Sequence, residues 1–170
     1  MPAVRLEPLS GDHLEGLEAI VRDPEVQRFT RVPAQAPPGF AKELIDVYDA
    51  GRAAGTREGF AIVDEDGAFL GVAVAPRIDR EGLTAELGYT TAAHARGRGV
   101  ASAALALLTA WGFETLGARR LELLISVEND ASKRVAQRCG YVREGVLRSL
   151  HVKQGLREDT EIWSRLPSDP

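Results

Sequence analysis

The chain has 170 residues, 44% hydrophobic and 27% charged, with a net charge of −4. That length suits one compact domain whose core needs no covalent staples. The acidic balance and scattered arginines argue against a nucleic-acid partner, and a single cysteine, Cys139, excludes an internal disulfide and a Cys-rich metal site.

His13, His94 and His151 are too scattered for an HExxH pattern, so no metal is expected. The N-terminus lacks the apolar stretch of a secretory signal. No apolar run approaches the roughly 18–20 residues needed to span a bilayer. A cytoplasmic protein without a membrane partner is the expectation, organised as one domain over residues 1–166 with a short tail at 167–170.

In chain order, a strand is expected over Val4–Leu6, then a helix capped near Ser10 with Leu14, Leu17 and Val21 on one face. Asp23-Pro24 ends it. The segment Phe29 to Gly39 carries Pro33, Pro37 and Pro38 and reads as loop. Phe40, Leu44, Val47 and Tyr48 form an amphipathic helical pattern, closed by Gly51 and Gly55. Strands follow at Gly59–Val63, Phe69–Arg77 and Leu83–Thr91, with turns at Asp64–Gly67 and Asp79–Gly82.

Val100 to Leu116 reads as a helix apolar at Val100, Ala104, Leu107, Leu108 and Trp111, with Glu114 its only charge, and therefore mostly covered. Leu121–Val127 alternates as an interior strand. A short helix over Asp130 to Arg138 stops at Gly140. Two strands, Tyr141–His151 and Arg157–Leu166, complete the order β-α-α-β-β-β-α-β-α-β-β. This predicts an α+β domain with a mixed sheet and helices on both faces. Strand, helix and strand from Leu83 to Val127 form one βαβ unit, whose two strands should be parallel.

Arg96-Gly97-Arg98-Gly99-Val100-Ala101-Ser102 lies between a strand and the long helix. Glycines let the backbone approach a ligand closely, and a helix's first turn leaves N–H groups unpaired at the positive end of its dipole. That is an anion site. Walker-type GxxxxGK[ST] is absent, and GxGxxG fails because position 102 is Ser. A plain glycine-rich turn opening a helix is the competing reading of the loop alone.

Taken with its flanks, the loop resembles the GNAT N-acetyltransferase signature [QR]-x-x-G-x-[GA] at Arg96-x-x-Gly99-x-Ala101. Glu86-Leu87-Gly88-Tyr89 looks like that family's E-[IL]-G-Y strand, Asn129-x-x-Ser132 like its N-x-x-S element, and Ala136 to Tyr141 like its A-x-x-x-G-[FY] ending. Glu144-Gly145-Val146-Leu147-Arg148, with Gly155 and Asp159 after it, resembles the ribosomal-protein (alanine) N-acetyltransferase branch. The resemblance covers roughly Gly59 to Leu166.

The resemblance implies a central, twisted, mostly antiparallel sheet with one splayed parallel strand pair and helices on both faces. It implies acetyl-CoA as co-substrate and a primary amine as acceptor, with a homodimer as a possible assembly. Residues 96–102 (Arg96, Gly97, Arg98, Gly99, Val100, Ala101 and Ser102) would grip the pyrophosphate. Thr90 and Thr91 would meet the pantetheine arm, and Asn129 would bond the coenzyme or fix its turn. The branch usually carries an aromatic where Thr90 stands; two threonines would widen the acyl end for groups larger than acetyl.

For chemistry, Glu86 is the first candidate base, aimed at the cleft by strand alternation and acting through a water. His151 is the second, with an intrinsic pKa near 6.5. Ser132 would reach the leaving sulfur or cap its helix. Tyr141 and Cys139 read as packing, and His94 as a solvated turn residue. The acceptor is expected to be a protein N-terminal α-amino group. A small amine such as a polyamine or aminoglycoside is the alternative, favoured if Asp23, Glu25, Asp46 and Asp49 line an acidic cleft; a non-catalytic acyl-CoA-binding module is a third.

Overall fold

The computed structural model describes residues 2–153 and 155–170. Seven strands form one sheet in the order β1-β2-β3-β4-β5-β7-β6. They are β1 (Arg5–Pro8), β2 (Glu58–Val63), β3 (Phe69–Asp79), β4 (Thr84–Thr91), β5 (Arg120–Ser126), β6 (Val142–Lys153) and β7 (Leu156–Arg165). All neighbours pair antiparallel except β4 and β5, the expected parallel pair.

Residue alternation divides the core. On β2, Ile62 packs with α4 (Val100–Ala110) and α5 (Asp130–Arg138), while Ala61 and Val63 pack against α1 (Leu14–Arg22), α2 (Pro24–Phe29) and α3 (Phe40–Ala54). Successive side chains of a strand point to opposite faces, so helices cover both sides of the sheet. On β4 the same rule sends Ala85 and Leu87 to the α4 side and Glu86 to the other.

Helix α1 begins as expected: Ser10 and His13 form a reciprocal cap around a 3-10 turn at Gly11–His13. Asp23-Pro24 ends α1 but also starts α2, with Asp23 accepting from the Glu25 N–H and proline in the first turn. Proline's fixed φ and missing N–H suit that position, so one dipeptide carries both signals and the sequence reading caught only the stop. In α3, Gly51 does not close the helix. It lies inside, where a Cβ would sit 2.5 Å from the Arg57 side chain, and the left-handed Gly55 ends it. Val47 and Leu107, expected on covered faces, are exposed, while Ile45 and Leu105 take the buried positions.

Two further boundaries differ. Leu83 belongs to the turn, with φ of 51°, and the strand starts at Thr84. The long helix gives way at Trp111 to a π-helical turn, Trp111–Thr115, in which a Cβ on Gly112 would meet Leu121 at 2.8 Å. Among the described residues, no helix is long and apolar enough to cross a membrane.

Candidate active site

The β4–β5 ladder runs from Thr84↔Arg120 to Leu87↔Leu123 and then stops. Beyond it, β4 continues through Gly88–Thr91 bonded to β3, and β5 continues through Leu124–Ser126 bonded to β7. The strands therefore splay, and a gap opens between Gly88–Thr91 and the start of α5.

Two cavities meet at this gap. The smaller, of about 350 Å³, lies between the loop before α4 and the face of α5; the larger, of about 670 Å³, lies under α1–α3. Val26, Phe29 and Thr30 from α2 and its end, with Tyr89, Thr90, Asn129 and Ser132 opposite, line both.

The smaller cavity gathers Thr90, Thr91, Arg96, Gly97, Gly99, Val100, Ala101, Ser102, Asn129 and Ser132 in its wall. Arg98, expected among them, is exposed and lies outside it. Gly97 and Gly99 have φ of 71° and 80°, the left-handed region that a side chain disfavours. Among the described residues, no side chain caps α4. The N–H groups of its first turn thus have no intrahelical partner and face the cavity at the positive end of the dipole.

Arg96 is not free to present its charge alone. It bonds Asp23 at 2.7 Å and Glu25 at 2.8 Å, tying α2 to the loop. Arg28 and Glu128 make a second tie, from α2 to the β5–α5 turn. The sequence missed Arg134 and Arg138, which line the cavity from α5 one turn apart. Their i, i+4 spacing was the available signal.

The four carboxylates whose clustering would favour a small-amine acceptor do not line the larger cavity. Asp23 and Glu25 are held by Arg96, Asp46 by Lys42 at 2.6 Å, and Asp49 by Arg52 at 2.8 Å. Of these four carboxylates only Glu25 reaches a cavity wall, and it is the smaller one.

Glu86 and His151 line the larger cavity, with Ser132 at the shared boundary. Glu86 is 8% exposed and accepts from Arg31 at 2.6 Å; Arg77 approaches its other oxygen at 3.9 Å. His151 reaches the wall because β6 bulges: three residues lie between Leu147 and His151 where one lies between their partners Thr160 and Glu158. The bulge is held at Ser149, with φ of 55°, whose N–H donates to Asp159 at 2.8 Å. Burial, then the charge of Arg31, holds the His151 imidazole below its ordinary range.

At the boundary, the Tyr89 and Ser132 hydroxyls are 2.8 Å apart, and Tyr89 also reaches the Ser132 carbonyl at 3.2 Å. Burial pushes the Tyr89 phenol up, against a smaller lowering by its bond to Ser132. The helix cap proposed for Ser132 is supplied instead by Asn129, whose side chain accepts from the Ser132 N–H at 3.1 Å. Tyr141 is buried against Thr109 at 2.8 Å, and the buried Cys139 thiol donates to the Ser102 carbonyl, so both pack. His94 is exposed in a turn.

The profile of the acetyltransferase (GNAT) domain matches residues 3–142. An uncharacterized N-acetyltransferase p20 of Bacillus licheniformis is 28% identical over 145 residues, covering 85% of this chain and 82% of that protein. Among solved structures, RimL, a ribosomal L7/L12 α-N-protein acetyltransferase in complex with coenzyme A, superposes with a TM-score of 0.89 at 18% identity, covering 98% and 95% of the two chains. The spermidine N-acetyltransferase of Vibrio cholerae, in complex with CoA and spermine, superposes at 0.85 with 20% identity over 98% and 96%. At these identities the two structures establish a shared fold.

Proposed function

The chain belongs to the acetyltransferase (GNAT) family and is an acetyl-CoA-dependent N-acetyltransferase, and on that footing we propose that its acceptor is the α-amino group of a protein or peptide. The observation that carries this reading is the pair of cavities sharing one wall at Tyr89, Thr90 and Ser132. One cavity offers free amides and glycines for a phosphorylated ligand; the other is roomy and mostly apolar.

Acetyl-CoA supplies a thioester whose carbonyl an amine attacks directly, breaking the C–S bond. Val100, Ala101 and Ser102 would hold the pyrophosphate through their N–H groups, with Arg96, Arg134 and Arg138 beside it. The open edge of β4 at Thr90 and Thr91 would pair with the pantetheine arm. Positioning of this kind is worth about 7–11 kcal/mol of a barrier.

His151 or Glu86 would take the proton released by the amine. An α-amino group, with a pKa of about 7.7–8.0, needs little help, whereas a lysine near 10.4 would need more. Tyr89 keeps its proton at neutral pH and has it to donate where the thiolate leaves, with Ser132 orienting the phenol.

A polyamine is the less favoured acceptor, because Asp23, Glu25, Asp46, Asp49 and the buried Glu86 are each paired with an arginine or lysine of the chain. A thiol-release screen with N-terminal peptides, polyamines and aminoglycosides tests the assignment. Peptide turnover is expected, and release with polyamines alone overturns the choice of acceptor.

A further inference from the structure

Resting on the larger cavity as the acceptor site, the geometry assigns a discriminating role to Arg31. We propose that its guanidinium, tethered to the cavity wall, occupies the buried carboxylate of Glu86 and so excludes acceptors that carry a second cation, while amines flanked by apolar groups are taken.

Among the described residues, the carboxylates lining this cavity are Glu86 and Glu158, against the basic side chains Arg28, Arg31 and Lys153. Glu86 is the buried one, and Arg31 Nη2 reaches its Oε1 at 2.6 Å. A polycation reaching for Glu86 must displace a cation that is part of the same protein chain. A tethered group competes at an effective concentration of about a millimolar or more, so a free amine at lower concentration loses.

Arg31 is also held at its station. Lys153 Nζ donates to the Gln27 carbonyl at 2.8 Å and the Val32 carbonyl at 3.2 Å, bracketing the segment that carries Arg31. Lys153 thereby anchors the loop and leaves its own charge in the cavity. Arg77 lies outside the cavity lining and faces the second Glu86 oxygen, so displacing Arg31 would still leave the carboxylate partly met. Glu158, the other carboxylate of the lining, lies in the field of Lys153, whose charge opposes a second ammonium there, and Leu17, Val72 and Leu124 add apolar wall.

The test compares wild type with Arg31→Gln, Arg31→Met and Arg31→Lys in thiol release, using a neutral N-terminal peptide and spermidine. Arg31 has 57% of its side chain exposed, and Met keeps the apolar stem, which guards against a folding effect. Arg31→Gln and Arg31→Met should raise kcat/KM for spermidine at least about tenfold, chiefly through KM, with Arg31→Lys near wild type. No gain with spermidine, or an equal gain with peptide and spermidine, overturns the proposal. If wild type turns over neither amine, the acceptor reading itself fails. Equilibrium dialysis of spermidine then decides on Arg31: tighter binding to Arg31→Met supports its role, and equal binding overturns it.

Discussion

The Tyr89 and Ser132 hydroxyls lie 2.8 Å apart at the place where β4 and β5 separate. A phenol held up by burial keeps its proton at neutral pH, and its neighbour fixes the direction in which it points. Tyr89→Phe should therefore lower kcat by about 10²–10⁴-fold, the usual worth of a positioned proton donor. Ser132→Ala should cost less, because Tyr89 retains the Ser132 carbonyl as partner. Steady-state kinetics beside acetyl-CoA binding checks this; an unchanged kcat in Tyr89→Phe removes the phenol from the chemistry.

His151 has a lowered pKa, so its neutral, base-competent form persists below the ordinary 6.5. If it is the base, the rate should be level above that pH and fall only as the imidazole protonates beneath it. His151→Ala abolishes that acidic limb, whereas Glu86→Gln abolishes it if the carboxylate is the base. Arg31→Met should move a His151 limb upward, since the Arg31 charge is among the causes of the lowering. Stability follows the same sign: a lowered folded pKa adds stability above 6.5 that is lost as pH falls beneath it.

Gly99 adopts a φ of 80°, and a Cβ there would approach Pro2 at 3.3 Å. Gly99→Ala should cost about 1–2 kcal/mol through the left-handed backbone. Gly99→Glu adds a carboxylate at the proposed phosphate site and should erase stabilisation by acetyl-CoA. A well-bound ligand at a hundredfold excess over Kd contributes about 2.7 kcal/mol, so its loss is visible as a missing Tm shift. A retained shift would mean that the donor lies elsewhere.

Gly71 on β3 faces the carbonyl of Thr90 so closely that a Cβ would stand 2.2 Å from that oxygen. Gly71→Ala must push the end of β4, which borders both cavities, and should raise KM for acetyl-CoA and for the amine together. Overpacking of this kind costs about 1–3 kcal/mol. Gly145→Ala, where a Cβ meets open space, is the control. Unchanged KM values in Gly71→Ala would show that β4 yields without affecting either ligand.

The parts of the site legible in the sequence are local ones. The glycine loop, the parallel pair and the Asn129-x-x-Ser132 turn are each written in a few consecutive residues. His151 was nominated from its chemistry, but the bulge that brings it to the wall depends on Asp159 across the hairpin. Arg31 was not singled out, because its partner Glu86 lies 55 residues away. The pairing of Asp23 and Glu25 is hidden for a similar reason: Arg96 reaches them across more than 70 positions. The Lys42–Asp46 and Asp49–Arg52 pairs, at helical spacing, were readable and were overlooked.

The common wall of the two cavities has an evolutionary consequence. A change at Tyr89 or Thr90 touches both cavities at once, so on the proposed assignment neither substrate drifts there alone. The loop carrying Arg31 and the hairpin end carrying His151 and Lys153 border the larger cavity only. On that assignment, descendants of this scaffold are free to trade one amine for another by rewriting those two segments, with the smaller cavity inherited unaltered.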